Sequence, residues 1–234
     1  MKASKLRVAV LALLGVACGG GGGTPAAPSG GGTGNPPPPS GPPTASQLLA
    51  KMMSCSQIST GLYATDAGGT PRIPVCGATG AVWWKADMDI DCDGVTTAEC
   101  NINTDPAYQN GTALETSTGR PFNAATMPYV VIPSISGRWS YSGANIQLGA
   151  VVAVIFDDRV EYGVFADTGP VSIIGEASYA MAKSLGIDPD PSTGGTDSTV
   201  AYLVFTGSRV SPVESHSAAV TLGQDLARQF LSSN

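Results

Sequence analysis

Two runs rich in Val, Ile, Phe and Ala, 149–156 and 160–166, stand on either side of the turn cluster Asp157-Asp158-Arg159. Polar turn formers between two β-prone runs of that length make a hairpin, so the chain builds on paired strands. Ala81-Val82-Trp83-Trp84-Lys85 reads as another strand, 128–133 as a strand bounded by prolines, and 199–205 as a buried apolar strand. With 30 glycines, 18 prolines and only 13% charged residues, the composition suits a secreted β-rich protein with many turns better than a helical bundle. Helical signals are few. A short helix is expected over 44–53, opened by Thr44 or Ser46. A second is expected over 177–185, where Met181 and Leu185 share a face and Gly186 stops the turn. A third covers 215–231, with Leu222, Leu226 and Phe230 as a docking face.

The front of the chain reads as an export signal. Lys2, Lys5 and Arg7 precede an apolar run, 8–16, too short to span a bilayer. Leu14-Gly15-Val16-Ala17-Cys18 resembles the lipoprotein box of bacteria, with Gly15 where Leu is usual. Cysteine arithmetic agrees, because Cys55, Cys76, Cys92 and Cys100 form an even set for two disulfides and leave Cys18 for a lipid. The expected organisation is a signal peptide over 1–17, lipidated Cys18 with a disordered Gly/Pro-rich tether over 18–44, and one catalytic domain over 45–234. The product would be secreted and held to the cell envelope. Short loops favour pairing Cys55 with Cys76 and Cys92 with Cys100, and the two other pairings stay open.

The segment Phe165-Ala-Asp-Thr-Gly-Pro-Val-Ser-Ile-Ile-Gly-Glu-Ala-Ser178 carries the chemistry. It sets Asp167 and Glu176 on either side of a Gly-Pro turn, and hydrolysis of a glycosidic bond needs two carboxyl groups at one site. Taken alone, an Asp before Thr-Gly-Pro is often a turn acceptor, and a Glu opening a helix often only answers the helix dipole. The segment resembles glycoside hydrolase family 75, the chitosanases, whose pattern is an Asp-Thr at a strand end followed by a Gly-Glu-Ala-Ser turn opening a helix. The resemblance implies an endo-acting, inverting hydrolase of β-1,4 bonds in chitosan, with Asp167 and Glu176 as the catalytic pair. Glu176 is expected to be the acid and Asp167 the base, although a helix N-terminus would favour the anion at Glu176. The order of strand, Asp-Thr-Gly-Pro turn, return segment and small-residue helix also resembles double-psi barrels. The fold class expected is therefore mainly β, a six-stranded, double-psi-like barrel with a few appended helices.

A second constellation, Asp87-Met-Asp89-Ile-Asp91-Cys-Asp93-Gly94, puts acids at every second position just after Trp83-Trp84 and resembles an acidic segment of the same family. Three readings compete. In an extended segment, Asp87, Asp89, Asp91 and Asp93 face one side and can pair with glucosamine ammonium groups while Trp84 or Trp139 stack on sugar rings. Asp89, Asp91, Asp93 and Gly94 also match the opening of a calcium loop, but Cys100 stands at the twelfth position where Glu belongs. The third reading is a solvated loop closed by Cys92 and Cys100.

The remaining signals mostly exclude. His216 is the single histidine, so a histidine metal cluster or a serine triad has little to build on. No metal or organic cofactor is implied. The net charge of −6 disfavours nucleic acid and is compatible with a cationic polymer. A monomer acting on chitosan or partly acetylated oligomers is expected, with membrane contact only through the lipid. The alternative is a polysaccharide-binding or wall-loosening barrel without hydrolytic activity.

Overall fold

A computed structural model describes residues 41–234. The export signal, Cys18 and most of the tether lie outside the described residues. The chain order is α1 (Ala45–Lys51), β1 (Ser56–Gln57), β2 (Cys76–Ala78), β3 (Ala81–Asp91), β4 (Tyr129–Pro133), β5 (Val151–Phe156), β6 (Arg159–Gly169), β7 (Glu176–Ser178), α2 (Tyr179–Leu185), β8 (Thr196–Phe205) and α3 (His216–Ser233).

Six strands close into a barrel in the order β3-β7-β4-β6-β5-β8, with β8 returning to pair with β3. The barrel mixes the two pairing modes: β3 with β7 and β4 with β6 run parallel, and the other contacts are antiparallel. Closure leaves the six barrel strands with a neighbour on each side, while β2 and β1 extend the sheet beside β3. The β5–β6 hairpin forms as expected, and Asp157 takes the left-handed conformation at its turn (φ 52°).

Strand alternation sorts the apolar residues into two cores. Val82, Trp84, Val130, Val152, Phe165, Tyr202 and Val204 point one way and join Met181 and Leu185 of α2. Trp83, Tyr129, Val131, Ala153, Val164, Leu203 and Phe205 point the other way, under α1 and α3. A helix about 10 Å wide does not fit inside a six-stranded barrel, so α3, which packs on β5 and β6, marks the outer face. Its buried residues are Ala219, Gly223, Ala227 and Phe230, so small side chains let it lie close to the sheet. Leu222 and Leu226 are only partly buried at its margins.

The helix ends follow their sequence signals. Thr44 caps α1 by accepting from the Gln47 backbone N–H, while the Gln47 side chain accepts from the Thr44 N–H. Ser178 caps α2, and Gly186 ends it in the left-handed region (φ 77°). The expected start of this helix is corrected: Glu176-Ala177-Ser178 is strand β7, wedged between β3 and β4, and the helix begins only at Tyr179. Pairing on both sides outweighs the weak helical preference of three small or polar residues.

Disulfides join Cys55 to Cys76 and Cys92 to Cys100. The first fastens β1 to β2, and the second closes the loop that follows β3. Among the described residues no helix is long and apolar enough to cross a membrane.

Candidate active site

The register of four neighbouring strands builds the site. Asp89 on β3 lies opposite Glu176 on β7, Glu176 lies opposite Val131 on β4, and Val131 lies opposite Asp167 on β6. Laterally paired residues share a sheet face, so Asp89, Glu176, Val131 and Asp167 form one row on the outside of the barrel. The row depends on a β-bulge. Val130 faces Phe165, yet Val131 faces Asp167, so an extra residue, Ala166, is inserted in β6 and turns Asp167 rather than Ala166 toward the row. Strand β6 also runs on through Gly169, so Asp167 lies inside a strand and not at its end.

A cleft of about 550 Å³ opens over this row. Asp89, Asp91, Asp93, Val131, Asp167 and Glu176 line its floor. Asp105, Gln109 and the segment around Ser192 form its rims, and the Ser192 hydroxyl donates to the Thr104 carbonyl (2.6 Å), joining one rim to the other. Gly169 keeps the floor open. A Cβ there would stand 2.7 Å from Glu176 Oε2 and 3.1 Å from Val131 Cγ1.

The two principal carboxyls have different surroundings. Asp167 Oδ1 accepts from the Ala113 N–H (3.0 Å) and the Thr168 N–H (2.8 Å), which fix its orientation and oppose the upward push of burial on its pKa. The result is a carboxyl raised above the ordinary aspartate range by burial, with its anion held by two donors. Glu176 makes no such bonds. Burial, then the charges of Asp89, Asp93, Asp167 and Asp87, push it up to about 7. The helix dipole expected to favour its anion does not act there, because α2 starts three residues later.

The other acids graduate along β3 and its exit loop. Asp91 Oδ1 accepts from the Asp93 N–H (2.8 Å), and burial followed by the charge of Asp93 pushes the Asp91 carboxyl well above the usual range. Asp93 Oδ1 accepts from the Gln109 N–H (2.6 Å), and burial raises Asp93 to about 6. These bonds belong to a strand end and a cross-loop tie, which is not the coiled backbone that a twelve-residue calcium loop winds around its ion. Asp87 is not on the cleft floor. It faces a second depression with Asp66 and Asp197, and burial, then the charges of Asp89 and Asp66, push it up to about 7.

Two expected sugar platforms are corrected. Trp84 is 1% exposed, stacked on Tyr202 (5.4 Å between centroids) with Trp139 edge-on at 6.5 Å, and Trp139 is itself buried at 7%. Strand alternation is the cause: Trp84 occupies the inward parity of β3 while Asp87, Asp89 and Asp91 occupy the outward one. His216 lies away from the cleft, where its Nε2 meets Glu161 Oε1 at 2.8 Å. Sequence reasoning missed Asp105, Gln109 and Asp66. Each sits in a turn-rich stretch whose acids and amides carry no signal beyond turn formation.

Residues 88–232 match the family described as fungal chitosanase of glycosyl hydrolase group 75, a match that covers more than half of the chain and includes the whole row from Asp89 to Glu176. The chain belongs to this family. Among characterised relatives, an endo-chitosanase B of Aspergillus oryzae (strain ATCC 42149 / RIB 40) is 31% identical over 137 residues, 55% of this chain and 57% of that protein. An endo-chitosanase C of Aspergillus oryzae is 35% identical over 131 residues, covering 53% of this chain and 31% of that protein. An endo-chitosanase of Aspergillus fumigatus is 28% identical over 141 residues, 55% and 59% of the two chains. The chain thus spans about half the length, or less, of the curated relatives it matches. Asp66 and Asp87 precede the segment that carries the family match.

Proposed function

We propose that this chain is an endo-acting chitosanase that hydrolyses β-1,4 glucosamine linkages with inversion, using Glu176 as general acid and Asp167 as general base. The reading is supported by one observation above the rest: both residues flank Val131 in register, on one face, at the floor of an acid-lined cleft. Two strand spacings separate them, about 9.6 Å between Cα atoms. Side chains rising from strands that far apart can hold their carboxyls at the roughly 6.5–9.5 Å that inversion requires.

The electrostatics support the division of labour. A general acid must hold its proton near working pH, and Glu176 titrates at about 7 with no donor stabilising its anion. A base must be an oriented anion, and Asp167 has two backbone N–H groups holding one oxygen while the other stays free for water. In the proposed step Glu176 gives its proton to the leaving glycosidic oxygen as Asp167 takes one from the attacking water. Asp89, Asp91 and Asp93 would face the ammonium groups of the polymer. The relatives named as endo-chitosanases agree with this substrate.

The disulfides suit an oxidising compartment. We take the protein to be exported and anchored by lipid on Cys18, with the tether ending near residue 44. The activity is tested by release of reducing sugar from soluble chitosan. The full-length protein releases oligomers, and Asp167→Asn or Glu176→Gln lowers kcat by about 10²–10⁴. No release by the parent, or release unchanged in both variants, overturns the reading.

A further inference from the structure

We infer that Asp66, Asp87 and Asp89 form a calcium site at the edge of the cleft, distinct from Asp167 and Glu176 but sharing Asp89 with the acid row. Asp89 then serves the ion when calcium is bound, and Asp91 and Asp93 remain for the polymer. One carboxylate oxygen from each lies within 4.8 Å of the others. Two oxygens on opposite sides of an ion held at about 2.4 Å from each, the ordinary distance for calcium, stand no farther apart than that.

Proximity of acids alone would not carry this. The second observation is Asp87, which is 8% exposed and whose Oδ1 is buried with no hydrogen-bond partner. Its carboxyl is pressed against the backbone of Gly175, where a Cβ would stand 2.2 Å from Oδ1. Buried without a donor, a carboxylate oxygen is satisfied by a cation or by a proton, and a cation serves all three carboxylates at once. The side chains nearby do not supply one: Arg72 and Lys85 line the same depression, yet among the described residues the ion pairs are His216 with Glu161 and Arg228 with Asp225.

The donor set selects the ion. It is all carboxylate oxygen, which suits a hard cation, and the cysteines near β3 are bonded as disulfides. Asp66 and Asp89 are exposed, leaving open positions for the waters that complete a coordination number of six to eight. Thr65 Oγ1 donates to Asp66 Oδ2 at 2.8 Å and orients that carboxylate. Bound calcium would clip the loop that carries Asp66 onto β3. That loop is tied below by Ala64, which accepts from the Ile174 N–H and donates to the Ser172 carbonyl.

The test uses the full-length protein after chelation, with calcium chloride as the probe. Calorimetric titration should find one ion per chain. Addition of about 5 mM calcium, above the range in which extracellular modules bind it, should raise Tm by several degrees. Asp66→Asn, an exposed change that leaves the fold intact by circular dichroism, should weaken binding at least about tenfold and remove the Tm rise. Absence of uptake by the parent protein overturns the proposal. So does uptake of undiminished affinity in Asp66→Asn, or an equal response to magnesium.

Discussion

Asp167 and Glu176 are the two lateral neighbours of one residue, Val131, and therefore rise from the same sheet face two strands apart. The distance is set by strand order and a single bulge, and not by the eight residues between them in sequence. A retaining enzyme brings its carboxyls to about 5–5.5 Å, and an inverting one holds them roughly 6.5–9.5 Å apart. Proton NMR of the first products from a glucosamine oligomer should show the α-anomer accumulating before mutarotation. A β-anomer appearing first would overturn inversion.

The pH dependence of turnover follows from the same pair. As acid, Glu176 must be protonated, so activity falls as pH rises through about 7. As base, Asp167 must be ionised, and burial lifts the pH at which the acidic limb begins. Measured as kcat at saturating oligomer, where substrate binding no longer enters, the rate should drop about tenfold per pH unit on the alkaline side. A profile flat to pH 9 would remove Glu176 from the role of acid.

Stability should move in the same direction for a related reason. Glu176 and Asp87 titrate at about 7 and Asp93 at about 6 in the fold, against 4.5 and 3.8 for the free side chains. Their folded pKa values are raised, so the native state binds more protons than the unfolded chain between those limits. Stability is then fully present at low pH and is lost as pH climbs from about 4 through 7. With chelator present, Tm at pH 5 should exceed Tm at pH 8 by at least about 5 °C. Equal values would show that the acids are not strained as anions.

Much of the fold was legible because the local signals agreed with one another. The Asp157-Asp158-Arg159 turn, the cap at Thr44 and the stop at Gly186 each act within a few residues, and the structure uses all three. What was not legible depends on pairing across the sheet. Glu176 reads as a helix opener in isolation and becomes strand only because β3 and β4 hold it on both sides. The bulge that turns Asp167 toward Val131 leaves no mark on the residues themselves. Trp84 looked like a sugar platform because aromatic residues serve both purposes, and its parity on β3 was the one clue that it faces inward.

That inward position makes a clear prediction. Trp84 is a core residue stacked on Tyr202, so Trp84→Ala should cost about 3–5 kcal/mol in denaturant unfolding. Its indole nitrogen has no partner to lose, so Trp84→Phe should fold and keep KM for chitosan oligomers within about twofold. A large rise in KM with unchanged stability would return Trp84 to the substrate.

Gly169→Ala offers the sharpest separation of site from scaffold. The backbone at this position is ordinary for any residue, and its new Cβ would meet Glu176 Oε2 at 2.7 Å and Val131 Cγ1 at 3.1 Å. The carboxyl is the mobile end of a side chain, so it can give way while the strand cannot. The fold should survive with a loss of no more than about 1–2 kcal/mol, whereas Glu176 must leave the position proposed for its proton transfer. Misplacement of about 1 Å costs on the order of 10²-fold in rate, so kcat should fall by roughly that factor. Because the change adds no charge and the new Cβ meets neither Asp91 nor Asp93, KM should stay near the parent value. A variant with full turnover would mean that Glu176 reacts from some other rotamer, and one that fails to fold would mean that the floor tolerates no added atom.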